Sequence, residues 1–84
     1  MSTNNPVWEK QATKVLDVRP ILADGGEPFE VIMNTAAPLT SGQTLLIIAP
    51  FEPVPLYRTL GARGFTPQSQ MVNPGEWWVL FTRA

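Results

Sequence analysis

At 84 residues the chain has room for one small domain, in which folding removes only about 60–65% of the unfolded chain's accessible surface. It contains no cysteine and no histidine, which excludes disulfides, thiolate metal centres and a thiol nucleophile, and removes the commonest general base and transition-metal ligand. The formal net charge is −1, and the basic residues Lys10, Lys14, Arg19, Arg58, Arg63 and Arg83 are scattered, so no basic surface suggests nucleic-acid binding.

Residues 1–13 are polar apart from Val7-Trp8 and lack sustained periodicity. They are expected to form a flexible N-terminal arm, from which Trp8 can tuck onto a domain spanning 14–84. No apolar run follows a basic one at the N-terminus, and no stretch approaches the roughly 18 apolar residues of a membrane span. The expectation is a cytoplasmic, soluble protein without membrane contact.

KVLDV, residues 14–18, alternates polar and apolar residues and reads as a short first strand stopped by Arg19-Pro20. Asp24-Gly25-Gly26 reads as a turn. Pro28 suits the first position of a helix, where its missing N–H costs nothing. Phe29, Ile32, Met33 and Ala36 follow at helical spacing, and Pro38 pushes its predecessor out of the α region, so a first helix is predicted over 28–37.

TLLIIA, 44–49, is apolar at both alternating sets of positions, the pattern of a central strand covered on both faces. Pro50, Pro53 and Pro55, with Glu52 among them, stiffen the junction that follows. VPLYRTLGARG, 54–64, predicts a second, short helix ending at Gly61 or Gly64. FTPQSQMVN, 65–73, alternates as a strand does, and Pro67 demotes its first half to an edge or an irregular lead-in. Asn73-Pro74-Gly75-Glu76 is a hairpin turn. EWWVLFTR, 76–83, is the last strand, with Trp77, Val79 and Phe81 on one face and Trp78, Leu80 and Thr82 on the other.

The resulting order β-α-β-α-β-β predicts an α+β two-layer sandwich, a four-stranded mixed sheet with two helices on one face. The opposite face is left without helices, although two of its strands are apolar on both sides. Trp77 and Trp78 cannot both enter one helix-side core, so an open-face contact is expected of this pair. Either the arm covers it or it meets a protein partner or a second copy of the chain.

LDVRP (16–20), a turn, a proline-opened helix, a strand, a second helix ending GARGF (61–65) and a closing hairpin resemble the TusA/SirA-like domains. The resemblance covers about residues 15–83 and implies a bacterial two-layer sandwich related to sulfur carriers, which relay persulfides from a Cys-Pro-x-Pro motif at the first helix. At the matching positions of this chain, Glu27 stands in place of the cysteine, Pro28 is kept and Glu30 replaces the second proline. Without a thiol that relay is unavailable. The chain is more similar to a cysteine-less, uncharacterised branch of the superfamily, a domain-of-unknown-function group with a PFEPVPLY-type junction.

Glu27 has two readings: a first-turn acid that interacts favourably with the helix dipole, worth about 0.3–1 kcal/mol, or a ligand contact at the position the resemblance marks as active. Loops beyond the carboxyl ends of parallel strands are where open α/β sheets place ligands. The two loops carrying Glu27-Pro28 and Phe51-Glu52-Pro53 are therefore expected to flank one groove. The prolines also serve to rigidify a tight strand-to-helix connection. Arg19 is placed to reach Glu27 or Glu52, Arg58 lies on the second helix, Tyr57 suits the core edge, and Met33 and Met71 read as packing.

The leading reading is a binding or adaptor domain that docks a protein partner or small ligand at the first-helix start and the proline-rich loop, with Arg19, Glu27, Pro28, Phe51, Glu52, Pro53 and Arg58 as contacts. No catalytic residue, metal site or cofactor is assigned to it. A carboxylate-based carrier or enzyme built on Glu27, Glu52 and Arg19, with a hard divalent cation, is the alternative. A homodimer through the open sheet face is the third.

Overall fold

A computed structural model of the chain describes residues 7–84. In chain order the elements are α1 (Trp8–Gln11), β1 (Lys14–Asp17), α2 (Arg19–Ala23), α3 (Phe29–Ala36), β2 (Thr44–Ala49), α4 (Val54–Gly61), β3 (Phe65–Asn73) and β4 (Glu76–Arg83). The four strands form one mixed sheet in the order β1-β2-β4-β3. β1 and β2 are parallel, and β4 runs antiparallel to both β2 and β3. The expected α+β sandwich with a four-stranded mixed sheet is what forms.

β2 shows why the layers lie where they do. From Leu45 to Ala49 every residue is buried, so the strand needs apolar cover on both faces. On one face Leu45, Ile47 and Ala49 join Val79 and Phe81 of β4, with Ile32 and Ala36 of α3 and Leu60 of α4 packed over them. On the other, Leu46 and Ile48 join Trp78, Leu80 and Val72, and the cover there is Trp8 and Ala12. Each fully buried Leu or Ile contributes about 1.5–3 kcal/mol.

Cover of this face by the N-terminal segment is one of the alternatives expected from the sequence; that the segment is helical is not. Within the segment read as an arm, residues 1–6 lie outside the described residues, while Trp8–Gln11 form a helical turn. Thr13 and Thr44 fasten its far end, each backbone N–H donating to the other's hydroxyl at 3.0 Å. α2 is a further difference, because Arg19-Pro20 in the sequence signals a stop and the structure begins a helix there. Proline occupies one of the first two positions of α2, where its fixed φ suits a helix and no N–H is missed. Asp17 accepts the Arg19 backbone N–H at 3.0 Å and so satisfies the first donor of that turn.

The hairpin between β3 and β4 turns through Pro74 and Gly75, and Gly75 has φ +76°, the left-handed conformation that glycine adopts without cost. The register slips between Met71 and Asn73, which brings Asn73 opposite Glu76 while Val72 is fully buried in the second layer. Pro67 lies on β3, an edge strand as its proline requires. Trp78 points to the α1 side with 4% exposure. Trp77 pairs with Ala49 and so shares the helix-side face, which removes it from the open-face contact expected of both tryptophans.

If α1 covers the second layer, Trp8→Ala should lower unfolding free energy by about 1–2 kcal/mol, less than a fully buried Trp because this side chain is half-buried. It should also raise binding of an apolar fluorescent dye. Urea titration with and without the dye measures both.

Candidate functional site

The carboxyl ends of β1 and β2 both open toward the starts of the helices that follow them. Two short acidic turns build this edge in the same way. In Asp17-Val18-Arg19 the carboxylate accepts the N–H of the first residue of α2. In Glu27-Pro28-Phe29, Glu27 Oε2 accepts the N–H of Phe29, the first residue of α3, at 2.8 Å. Glu27 thus satisfies a backbone donor that the helix itself cannot. Ahead of it, Gly25 has φ +80°, and a Cβ on Gly26 would lie 3.1 Å from Ile21 O, so the chain can turn this tightly only with glycine.

The proline-rich junction after β2 is equally fixed. Pro53 has φ −82° and ψ 64°, and Val54 N–H donates to Glu52 O at 2.8 Å, which together make an inverse γ-turn. Pro55 then lies in the first turn of α4, where a proline costs nothing. Glu52 points back along the helix: the Tyr57 hydroxyl donates to its Oε2 at 2.8 Å. Burial holds the Tyr57 hydroxyl above its ordinary pKa; a hydrogen bond with Ser69 opposes that shift, and the Glu52 carboxylate adds to it.

Between these turns lies a cavity of about 290 Å³. Its floor is Val18, Ile32, Ile47 and Ala49, and its walls are Leu22, Gly26, Pro28, Pro53, Pro55 and Leu56. Phe29 and Phe51, 46% and 53% exposed, line it together with Glu27, the single charged residue among the lining. Of the residues singled out from the sequence, Glu27, Pro28, Phe51 and Pro53 come together here. Glu52 and Arg58 do not line it, and neither does Arg19. Sequence reasoning missed Val18, Leu22, Ile47 and Leu56, whose apolar character marks them only as core.

Arg19 goes elsewhere than expected. Its Nε and Nη2 donate to the two Asp17 oxygens at 2.9 and 2.8 Å, a bidentate pair, and its Nη1 lies 3.6 Å from Glu76 Oε2. Glu76 also accepts from Asn73 Nδ2 at 3.0 Å and from the buried Trp78 indole N–H at 2.9 Å. The cluster joins the end of β1 to the start of β4 across β2. The Arg19 side chain, through its hydrogen bonds, holds Asp17 below the usual carboxylate range, and the hydrogen bonds from Asn73 and then Trp78 do the same for Glu76.

The site has few reactive groups. Among the described residues no three carboxylates gather closely enough to hold a metal ion, and the ion pairs are those of Arg19 with Asp17 and Glu76. Among the described residues, no helix is long and apolar enough to cross a membrane. Residues 15–83 match a family model described as an uncharacterized conserved protein (DUF2249). Comparison with curated proteins and with solved structures gives no match.

The Asp17 and Glu76 shifts make stability depend on pH. Both carboxyls have folded pKa values below their unfolded ones, so the unfolded chain binds protons first as pH falls. Their contribution is complete above the ordinary carboxylate range of about 4 and is lost as pH drops through the folded values. Solvent screens the partly exposed pair, so the change is modest. Urea midpoints measured from pH 7 to pH 2.5 should fall below about pH 4, and Asp17→Asn with Glu76→Gln should flatten that decline. Tyr57→Phe, which strips the Glu52 carboxylate of its donor, should cost about 1 kcal/mol at pH 7 in the same assay.

Proposed function

The chain belongs to the DUF2249 family, and we propose that this member is a non-catalytic binding or adaptor domain whose docking site is the cavity between the α3 start and the Phe51–Pro55 loop. The observation that carries the reading is the cavity itself: about 290 Å³, close to the lower size of small-molecule sites, and lined by apolar side chains and one carboxylate. Its rim keeps two aromatic rings in water, which is costly unless something covers them. Its walls are held by two prolines and by turns with satisfied backbone donors, so little ordering is left to be done on binding.

We read the fold further as sulfur-carrier-like, of a cysteine-less kind, acting in a bacterial cytoplasm. The support is the element order together with LDVRP before the proline-opened helix. A carboxylate-based carrier or enzyme on Glu27, Glu52 and Arg19 has less support: the three do not gather, since Glu52, bonded to Tyr57, and Arg19, paired with Asp17, lie outside the cavity that Glu27 lines. A homodimer through the face opposite the helices has less support as well, because Trp8 and Ala12 pack there.

The test removes the rim and leaves the core. A Phe29→Ala, Phe51→Ala double variant should unfold within about 1 kcal/mol of the parent, since both rings are half exposed. It should lose the small molecules or partners that the parent retains in affinity capture followed by mass spectrometry. A double variant that folds and retains the same binders removes the cavity from the reading.

A further inference from the structure

The cavity floor is apolar, and the one charged residue among the lining is the acid Glu27. Val18, Ile32, Ile47 and Ala49 close the bottom of the cavity with apolar side chains, which make no hydrogen-bonding demand. At the mouth, Glu27 is exposed and has one oxygen fixed by the Phe29 N–H. No Lys or Arg among the described residues lies within ion-pair distance of it. The α3 N-terminus adds roughly half a positive charge. Against it stand the full charges of Glu27 and of Glu30 in the first turn of the same helix, so the mouth is net negative. Phe29 and Phe51, both half exposed, line the same cavity as that carboxylate, and aromatic faces attract cations.

We propose that this cavity binds a small organic cation, a primary ammonium carried on an apolar body of about one ring, with the ammonium at Glu27 and the body on the Ile47-Ala49 floor. The inference rests on the cavity being the docking site. A volume of about 290 Å³ exceeds the roughly 150 Å³ void that takes up benzene in an engineered core, leaving room for a ring and a two-carbon amine arm. An anion of the same shape would meet Glu27 with its charge, and a neutral analogue would leave that carboxylate uncompensated.

Three probes of one shape test it by amide chemical-shift titration: 2-phenylethylammonium, ethylbenzene and 3-phenylpropanoate. The ammonium should bind about five- to tenfold more tightly than ethylbenzene, with the largest shifts at Glu27, Phe29, Ile47 and Ala49, and the carboxylate should bind more weakly than either. Glu27→Gln keeps an acceptor for the Phe29 N–H while removing the charge. It should bring the ammonium's affinity down to that of ethylbenzene and leave the latter unchanged. Equal affinities for ammonium and ethylbenzene in the parent, or no loss in Glu27→Gln, overturn the cation assignment while the cavity reading stands. No shift at the lining residues with any probe overturns both. A Leu-Lys dipeptide amide that binds tenfold more tightly than 2-phenylethylammonium would overturn the small-amine assignment in favour of a protein segment.

Discussion

The burial of β2 on both faces is the constraint from which the rest of the architecture follows. A strand with Leu45, Leu46 and Ile47 all fully inaccessible cannot sit at an edge and cannot leave one side to water. It therefore takes β1 and β4 as neighbours, helices on one side and the Trp8 turn on the other. A chain this short has a limited core to divide between two layers. The thinner layer, built on Trp78, Leu80 and Val72, accordingly relies on one half-buried tryptophan and on the paired threonines that hold its segment in place.

The same strand positions the cavity. Its last residues, Ile47 and Ala49, are floor, and the chain must then leave the sheet and rise into α4 within a few residues. Pro53 makes that ascent through a γ-turn and Pro55 begins the helix. The walls are therefore set before any ligand arrives. On the facing side the work is done by Gly25, Gly26 and the Glu27 carboxylate, which let α3 start close against Ile21. Glu27 thereby has both a structural duty, through one oxygen, and a free negative charge at the mouth. These do not compete, since an amide oxygen can fulfil the first and only a carboxylate the second.

Much of this was legible from the sequence, and the exceptions have physical reasons. The doubly apolar run of β2, the Pro-Gly turn after Asn73 and the alternation in EWWVLFTR led to the correct sheet, and placing the two loops at one edge led to four of the cavity residues. α2 escaped because a five-residue helix has no periodicity to detect, and Pro20 signals a start or a stop depending on what precedes it. α1 escaped for the same reason of length: its four residues bury no residue fully, and Trp8 gains cover only from a sheet assembled later in the chain. Arg19 turns to Asp17 and not to Glu27 or Glu52 because Asp17, the last residue of β1, also places its carboxylate at the start of the next turn, a second role that strand alternation does not reveal.

The place of β4 between β2 and β3 governs the order in which the domain can be put together. β1, β2 and β3 all precede β4 in the chain, yet β2 and β3 touch it and not each other. Until residues 76–83 are available, the most apolar strand of the protein has one neighbour and an open backbone edge, the condition in which an unfinished sheet is prone to pair with the wrong chain. The β3–β4 hairpin is a local pairing, whereas β2–β4 joins distant segments of the chain, the closure that costs more entropy.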